Sequence, residues 1–470
     1  MQYQICKVSE QVFRAYDIRG IIHPEFSEDA FYTIGLTLAA TLQDLQRQDV
    51  FLAQDGRLTS PSLAQALQQG LLDGGMRVFD LGMVPTPVMY FATKVPCKNP
   101  PMNPIDSGVM ITGSHNPSAY NGIKMVLAGN TLAQADIENL YTRMQQGVLP
   151  AAVPGTLHSV EVLPDYSQTI VERIHFARPM TVVVDCGNGV AGVTVPAVLE
   201  RLGARVIPLY TEVDGHFPNH HPDPTQEKNL VDLKEAVRIH QADIGLAFDG
   251  DGDRLGVVTN TGEMIYPDRL LLFFAQALLA EHPQATIVFD VKCTQDLADS
   301  INAQGGIPHM CPTGHSIVKR IMKEKGALLA GEMSGHIFFQ DRWYGFDDAL
   351  FSACRLLELL SLKPESVAEQ FASIPKRVST PEIQITMEDE HKFAFIEKLR
   401  EQGQFDSTEH ITIDGLRVAF ERGWGLLRAS NTTPCVTARF EALDLASLED
   451  IQRIFKREMQ RILPDLAIPF

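Results

Sequence analysis

A serine and three aspartates follow two apolar segments of the chain, at the points where strands of a sheet would end. Ser114 lies just after the run Gly-Val-Met-Ile. Asp249, Asp251 and Asp253 occupy alternate positions just after the run Ile-Gly-Leu-Ala-Phe. A hydroxyl nucleophile beside a group of carboxylate oxygens, which suits a hard cation, is the set of groups that phosphoryl transfer requires.

The three aspartates predict a metal site. At a separation of about 4 Å, each pair would repel by roughly 4 kcal/mol at an effective dielectric constant near 20. A divalent cation removes that repulsion, and ligation by oxygen alone favours Mg²⁺ or Ca²⁺ over zinc. The segment is not an EF-hand, because the required Gly and Glu are replaced by Arg254 and Asn260. A solvated acidic turn is the remaining alternative.

The residues alone leave the function of Ser114 open. A turn hydroxyl or a helix N-cap would have the same sequence. His115 is a candidate catalytic residue, but it is a poor base for Ser114, because adjacent side chains on an extended segment point to opposite sides. We therefore expect Ser114 to depend on a metal ion or to carry a phosphate itself.

Two further polar segments could bind a sugar phosphate. Glu332 and Ser334 would point to the same side of an extended loop, as suits sugar hydroxyl groups, although a plain polar turn would look the same. The second segment offers a guanidinium group, side-chain donors and backbone N–H groups to a phosphate, with an ordinary strand-to-helix turn as the alternative. Its residues are Arg428, Ser430, Asn431 and Thr432.

Strands alternate with helices in three similar units, which predicts parallel strands covered by helices. In each unit an early strand ends in an aspartate, at Asp55, Asp185 and Asp290, and a late strand ends in a polar loop. Ligand sites of open α/β sheets lie beyond the carboxyl ends of the strands, so three sheets can direct three loops to one cleft. The last hundred residues or so instead show the alternation of antiparallel strands, followed by a helix.

The predicted fold class is therefore α/β, with three tandem similar α/β domains, whose mixed sheets are covered by helices, and a smaller C-terminal α+β domain. The four domains are arranged around one central cleft. The predicted domains are I at 1–154 with Ser114, II at 155–257 with the three aspartates, III at 258–373 with Glu332, and IV at 374–470 with Arg428.

The composition argues against several functional classes. A net charge of -18 over 470 residues argues against nucleic acid or an anionic membrane as partner, because both require a basic surface. Seven scattered cysteines without Cys-x-x-Cys spacing favour reduced thiols over disulfides or zinc. The longest apolar run, 270–280, is shorter than the roughly 20 residues that cross a bilayer. We expect a cytoplasmic protein with small-molecule partners, either a monomer or a weak homo-oligomer.

Six motifs in combination resemble the α-D-phosphohexomutases, specifically the bacterial phosphomannomutase/phosphoglucomutase branch, over essentially the whole chain. They occur in the family's order, with at least one in each domain, which makes a chance match negligible. The matching segments are 13–20, 112–117 together with 120–124, 249–254, 312–315, 331–336 and 428–434.

The resemblance implies a phosphoserine isomerase that interconverts hexose 6-phosphate and hexose 1-phosphate of mannose or glucose. The reaction would pass through a hexose 1,6-bisphosphate, and glucose 1,6-bisphosphate would act as activator. Ser114 is similar to the family's phosphorylated serine, whose phosphate would hold Mg²⁺ together with the three aspartates. Lys124 and Arg19 resemble residues that assist proton transfer and stabilise charge.

The resemblance also implies a set of substrate-binding residues. Glu332 and Ser334 resemble the pair that binds sugar hydroxyls, and the segment from Arg428 to Thr432 resembles the site for the phosphate that does not react. Other residues that resemble contacts of the cleft with substrate are Tyr16, Arg254, Lys292 and His315.

Two departures from the family pattern stand beside these matches. Gly113 replaces the usual Ala, which is expected to loosen the segment around Ser114 without removing its chemistry, and Thr433 replaces a Glu. The alternatives are a phosphoglucosamine mutase, in which Met333 would usually be Gln, and a metal-dependent phosphatase. A non-catalytic sugar-phosphate binding protein is a further alternative, but it would have no use for a nucleophile beside a metal site.

Overall fold

The computed structural model describes residues 3–23, 26–96, 104–147, 153–430 and 434–470, whose strands form four successive sheets. The first three sheets are mixed and the fourth is antiparallel, so the predicted fold class is confirmed. Among the described residues, none of the helices combines the length and the apolar character that a membrane crossing requires.

The first sheet has the order β1-β5-β4-β2-β3-β7, with β6 paired to β5. Its centre is parallel, since β2 pairs in parallel with both β3 and β4, whereas β4, β5 and β1 are antiparallel. The strands are β1 Ile18–Ile21, β2 Asp49–Gln54, β3 Arg77–Met83, β4 Gly108–Ile111, β5 Tyr120–Leu127, β6 Asn130–Thr131 and β7 Thr156–Ser159. The helices are α1 Glu28–Asp44, α2 Ser60–Asp73, α3 Thr86–Ala92 and α4 Ala135–Gln145.

The second sheet repeats this arrangement in the order β12-β11-β10-β8-β9, with β8 parallel to β9 and β10. Its strands are β8 Thr181–Asp185, β9 Arg205–Leu209, β10 Ile244–Phe248, β11 Leu255–Thr259 and β12 Met264–Ile265. Its helices are α5 Leu163–Arg173, α6 Val195–Arg201 and α7 Val231–His240.

The third sheet has the order β14-β13-β15-β16, with β13 parallel to β14 and β15. Its strands are β13 Thr286–Asp290, β14 Ile307–Cys311, β15 Leu329–Gly331 and β16 Ile337–Phe339. Its helices are α8 Pro267–Glu281, α9 Gln295–Ala303, α10 His315–Lys325, α11 Ala349–Ser361 and α12 Val367–Ala372.

The fourth sheet is antiparallel in the order β17-β22-β21-β20-β19, with β18 also paired to β22. Its strands are β17 Val378–Ser379, β18 Ile383–Thr386, β19 Glu409–Ile411, β20 Leu416–Phe420, β21 Gly423–Ala429 and β22 Cys435–Ala442. Its helices are α13 Asp389–Gln402 and α14 Leu445–Ile462.

Equivalent connections in the first three sheets contain the polar residues singled out above. The serine loop, 112–119, connects β4 to β5, the aspartate loop, 249–254, connects β10 to β11, and the glutamate loop, 332–336, connects β15 to β16. Each loop thus follows a parallel strand and precedes an antiparallel one. The three sheets share one continuous buried apolar core, which fixes these loops relative to one another.

Two sheets extend past the predicted domain boundaries. β7 pairs with β3 in the first sheet, beyond the boundary between 154 and 155. The boundary between 257 and 258 falls inside β11, and both β11 and β12 pair within the second sheet. Short edge strands depend on pairing with distant residues, and their own sequence carries little of that information.

Candidate active site

The serine loop presents Ser114 to the aspartate loop. Ser114 is 1% exposed, and its Oγ donates a hydrogen bond of 2.9 Å to Asp249 Oδ2. The Ser114 backbone N–H donates to Thr112 Oγ1 at 2.7 Å. A Cβ atom on Gly250 would lie 2.4 Å from the Ser114 carbonyl oxygen, so the two loops pack in direct contact. Glycine at position 250 is what permits this approach.

His115 lies closer to Ser114 than the sequence argument allowed. Its Nδ1 is 3.3 Å from Ser114 Oγ, so the prediction that the two side chains point apart is wrong. The backbone is the reason, since Ser114 has a φ of +48° and the segment is not extended there. Burial, together with the charges of Arg254 and Arg19, holds the pKa of His115 well below its ordinary value. The imidazole is therefore neutral at neutral pH.

The three aspartates of the aspartate loop form a compact carboxylate cluster. One oxygen from each of Asp249, Asp251 and Asp253 lies within 4.8 Å of the others, and all three side chains are fully buried. Asp251 Oδ1 has no hydrogen-bond partner among the residues that the structure describes. A buried carboxylate oxygen without a donor is costly unless a cation binds it. These residues therefore fit the predicted Mg²⁺ site.

Lys124 lies beside the same cluster. Its Nζ donates to Asp251 Oδ2 at 2.6 Å and also forms a short ion pair with Asp253. Burial acts to lower the pKa of Lys124, but the two carboxylates outweigh it and raise this pKa above its ordinary value. Burial and the carboxylates of Asp251 and Asp253 raise the pKa of Asp249 well above the usual range, and the more distant charges of Arg254 and Lys124 only partly oppose this rise. Thr86 Oγ1 donates a further hydrogen bond of 2.6 Å to Asp251.

Two arginines lie beside these loops, Arg19 at the serine loop and Arg254 at the aspartate loop. Arg19 pairs with Asp17, and its Nη1 donates to Asn116 Oδ1 of the serine loop at 2.7 Å. Arg254 Nε lies 3.9 Å from Asp249 Oδ2. Both guanidinium groups are thus close to the position at which a phosphate on Ser114 would lie.

The glutamate loop contains a residue that the sequence analysis did not single out, His336. Its Nδ1 is 2.9 Å from Glu332 Oε2 and 3.1 Å from Ser334 Oγ, and its Nε2 is 3.2 Å from Asp253 Oδ1. Burial opposes protonation, but Asp253 outweighs it and, with Glu332, raises the pKa of His336 to about 9. The available signal was an imidazole in the same loop as two predicted sugar ligands.

Three predicted substrate residues lie near the glutamate loop. Glu332 Oε1 accepts a hydrogen bond of 2.7 Å from Gly314 N. Tyr16 packs against Gly314, since a Cβ atom on Gly314 would lie 2.5 Å from the Tyr16 ring. His315 is 6% exposed, and neither of its ring nitrogens makes a hydrogen bond within the described ranges. Lys292 Nζ pairs with Glu382 Oε2 at 3.1 Å. The first, third and fourth domains thus meet at this side of the cleft.

The predicted phosphate-binding segment begins at the end of β21 in the fourth domain. Arg428 is 6% exposed, and its Nε donates to Asp414 Oδ2 at 3.1 Å. Thr313 N, from the loop beside His315, donates to the same carboxylate oxygen at 3.0 Å. Ser430 follows and is also buried. The remaining predicted residues of the segment, Asn431 and Thr432, lie outside the described residues, as does Thr433.

Sequence comparison gives the family. Profiles of phosphoglucomutase/phosphomannomutase α/β/α domains I, II and III match residues 10–149, 164–262 and 266–378. The profile of the C-terminal domain matches residues 382–458. The chain belongs to the phosphoglucomutase/phosphomannomutase family.

Similar members of this family match over nearly their full length. A phosphomannomutase/phosphoglucomutase from Pseudomonas aeruginosa is 50% identical over 459 residues, which cover 98% of this chain and 97% of that protein. A phosphoglucomutase from Neisseria gonorrhoeae is 46% identical over 455 residues, covering 96% of this chain and 97% of that protein. A crystal structure of a phosphoglucomutase/phosphomannomutase family protein from Burkholderia thailandensis has a TM-score of 0.94 at 45% identity and covers 99% and 100% of the two chains.

These matches confirm the family that the six motifs predicted, and with it the predicted activity of a hexose phosphate mutase, which is an isomerase. The roles of individual residues rest on the geometry described above.

Proposed function

We propose that this family member interconverts the 6-phosphates and 1-phosphates of mannose and glucose, with Ser114 as the carrier of the phosphoryl group. The observation that supports this role is the 2.9 Å hydrogen bond from Ser114 Oγ to Asp249, in a cluster that also contains Lys124. The names of the relatives, which cover both phosphomannomutase and phosphoglucomutase, support both sugars.

The reaction begins with a phosphate on Ser114. The Oγ–P bond breaks, a bond forms between phosphorus and the free hydroxyl oxygen of a hexose monophosphate, and the hydroxyl proton is transferred to the serine oxygen in the net step. Lys124, Arg19 and His115 lie on the serine side of the cleft, where they assist the proton transfer and stabilise the negative charge. The product of this half-reaction is a hexose 1,6-bisphosphate.

The second half-reaction requires the bisphosphate to turn end over end and to return its other phosphoryl group to Ser114. During this turn, Glu332 and Ser334 bind the sugar hydroxyls, together with contacts from Tyr16 and His315. The segment from Arg428 to Thr432 binds the phosphate that does not react, and Arg254 and Lys292 make further contacts with the substrate in the cleft. Glucose 1,6-bisphosphate acts as activator because it can phosphorylate a Ser114 that has lost its phosphate.

The aspartate loop supplies the metal ligands. Asp249, Asp251 and Asp253, together with the phosphate on Ser114, would hold one Mg²⁺. When bound, this ion neutralises charge on the transferring phosphoryl group. Lys124 keeps two of these carboxylates paired and ionised, since burial alone would favour their protonation.

We further propose that the protein is cytoplasmic and is a monomer or a weak homo-oligomer. All six cysteines within the described ranges are free, and five of them are buried, which supports a reducing compartment.

A coupled assay tests the proposed function directly. Mannose 1-phosphate, glucose 1-phosphate and glucosamine 1-phosphate are supplied side by side with a trace of glucose 1,6-bisphosphate. We expect turnover of the first two substrates. Turnover of glucosamine 1-phosphate alone would indicate a phosphoglucosamine mutase instead. Release of inorganic phosphate without isomerisation would indicate a phosphatase, and binding without turnover a non-catalytic protein.

A further inference from the structure

We propose that Arg57 is a positioning residue for the phosphoryl transfer, because it fixes the conformation of the serine loop. Arg57 lies in the loop after β2 and is 1% exposed. Its Nη2 donates to the carbonyl oxygens of Ser114 and Asn116, at 2.7 and 2.5 Å. Its Nη1 donates to those of Pro117 and Tyr120, at 2.7 and 3.0 Å. One guanidinium group therefore binds four carbonyls in and beside the loop.

Close contacts with Asp55 and Gly113 restrict the position of the Arg57 guanidinium group. Asp55 Oδ2 lies 3.3 Å from Arg57 Nε and also accepts a hydrogen bond of 3.2 Å from Gly113 N. A Cβ on Gly113 would lie 2.5 Å from both Cζ and Nε of Arg57, so the guanidinium group fills the space that an alanine would need. The glycine thus lets Arg57 pack directly against the loop, which argues against the expectation that Gly113 loosens it.

The second domain closes this arrangement from the other side. The Phe217 ring lies 5.1 Å from Arg57 Cζ, within the range of a cation–π contact. The segment that carries Phe217 approaches the Arg57 loop closely, because a Cβ on Gly215 would be 2.6 Å from Leu58 N. The second domain also contributes Gly250, which touches the Ser114 carbonyl oxygen. Arg57 therefore lies at the contact between the first and second domains.

The loop needs such support because its conformation is strained. A φ of +48° is unfavourable for a serine and persists only where the surroundings hold it. Without the four hydrogen bonds from Arg57, the segment is free to relax toward the extended conformation. That relaxation would turn Oγ away from Asp249. The hydrogen bond from Arg57 to Ser114 is made to the backbone carbonyl oxygen, so we infer that its effect on Oγ is exerted through the backbone.

The test compares Arg57→Lys with Arg355→Lys in the full-length protein. Lysine keeps the positive charge but cannot bind four carbonyls in one plane. Arg355 is a matched control, because it is also buried and paired, with Glu358, but lies on α11 away from the serine loop. For each protein, kcat, KM, thermal midpoint and the rate at which dephosphorylated Ser114 accepts phosphate from glucose 1,6-bisphosphate are measured.

We expect Arg57→Lys to lower kcat and the rate of Ser114 phosphorylation by roughly a hundredfold, the effect of a misplacement of about 1 Å. The KM for hexose phosphate should stay within about twofold, because Glu332, Ser334 and the segment that begins at Arg428, which are proposed to bind the substrate, lie on other domains. Arg355→Lys should lower the thermal midpoint without changing the phosphorylation rate. Gly113→Ala keeps Arg57 but displaces it, so it should lower the same rate by about tenfold.

This inference rests on the proposed function. The measurements distinguish failure of the proposed function from failure of the positioning role of Arg57. If wild-type protein never carries phosphate on Ser114, the proposed function fails. If wild-type protein does so and Arg57→Lys and Gly113→Ala match its rate, only the positioning role fails. A loss of rate in Arg355→Lys equal to that in Arg57→Lys would also overturn it, since the effect would then follow from lower stability alone.

Discussion

At the scale of single residues, the reactivity proposed for Ser114 depends on where its backbone places the hydroxyl group. The side chain is almost fully buried and lies against a carboxylate cluster, a position in which an unmodified hydroxyl is a poor nucleophile unless a neighbouring charge assists it. Two different groups lie beside this hydroxyl. His115 is neutral, because burial lowers its pKa, whereas Lys124 is charged, because two aspartates outweigh burial and raise its pKa.

The first prediction concerns this hydroxyl. Ser114→Ala should lower kcat by at least ~10³-fold, because it removes the hydroxyl group that is proposed to carry the phosphoryl group between the two half-reactions. Peptide mass spectrometry of the wild-type protein should locate a phosphate on Ser114. Ser62→Ala, at an exposed serine of α2, is the control and should retain full activity. Near-normal turnover of Ser114→Ala would exclude the phosphoserine mechanism.

The second prediction concerns the carboxylates. Asp251→Asn removes one negative charge from the cluster, so the Mg²⁺ concentration for half-maximal activity should rise by about tenfold or more. Excess EDTA should abolish the activity of the wild-type enzyme, and added Mg²⁺ should restore it. Asp450→Asn, at an exposed aspartate of α14, should leave the Mg²⁺ titration unchanged. An enzyme that is fully active in EDTA, with no metal by elemental analysis, would contradict the assignment.

The residue types and their spacing were enough to predict a carboxylate cluster at Asp249, Asp251 and Asp253, because the signal is local. They left the role of Ser114 open, and its assignment as the phosphorylated serine rests on the family resemblance and stays a prediction. The orientation of His115 was not predictable, since it follows from a positive φ that the surrounding loops impose on Ser114. His336 was missed for a related reason. Its importance comes from Asp253, which lies in another domain, and no spacing along the chain encodes that contact.

At the scale of elements, three functional loops occupy the same connection in three successive sheets. Each loop is positioned by a short parallel strand with a buried apolar pattern, which the sequence showed as an apolar run. The extents of the sheets were less predictable, because the two-residue strand β12 is a strand only through its pairing with β11.

The final helix begins at Leu445, where Asp444 accepts a hydrogen bond from Ser447 N at 2.8 Å.

The third prediction belongs to the loop that follows β9. His220 Nε2 lies 3.0 Å from Asp185 Oδ2, and although burial opposes protonation, Asp185 raises the pKa of His220 above its ordinary value. The ion pair therefore stabilises the fold fully below the unfolded pKa of about 6.5 and loses this effect as pH rises through the higher folded pKa.

His220→Gln should consequently lower the thermal midpoint more at pH 6 than at pH 8.5. Differential scanning calorimetry of both proteins at the two pH values provides the measurement. His391→Gln, at an exposed histidine of α13, serves as the control for general effects of histidine removal. A midpoint difference that is the same at both pH values would show that the pair does not contribute through its charge.

At the scale of the whole molecule, an acidic protein places basic groups in one cleft. The net charge is -18, yet five cations from four domains surround the site, each within 4.0 Å of a carboxylate. They are Arg19, Lys124, Arg254, Lys292 and Arg428. Their pairing keeps the cleft folded without substrate, and a substrate phosphate can then compete with the carboxylates for the same donors.

The fourth domain is docked on the third through buried arginines. Arg417 Nη1 donates to the carbonyl oxygens of Val291 and Cys293, at 2.6 and 3.0 Å, on both sides of Lys292. The Arg417 guanidinium group also lies 3.8 Å from the Trp424 ring centroid. This interface therefore holds Lys292 of the third domain beside the fourth domain, which carries the predicted phosphate-binding segment that begins at Arg428.

The last prediction depends on that arrangement. A charge-assisted hydrogen bond from a guanidinium group to phosphate contributes about 1.5 to 3 kcal/mol, so Arg428→Ala should raise the KM for hexose phosphate by roughly ten- to a hundredfold. Ser114 should still accept phosphate, because it lies in the first domain. Free 1,6-bisphosphate should accumulate, since the cleft must hold the intermediate while it turns. Arg453→Ala, at an exposed arginine of the same domain, is the control for KM and for released bisphosphate. An Arg428→Ala enzyme with the KM of this control and no excess bisphosphate would show that Arg428 only stabilises the turn beside Asp414.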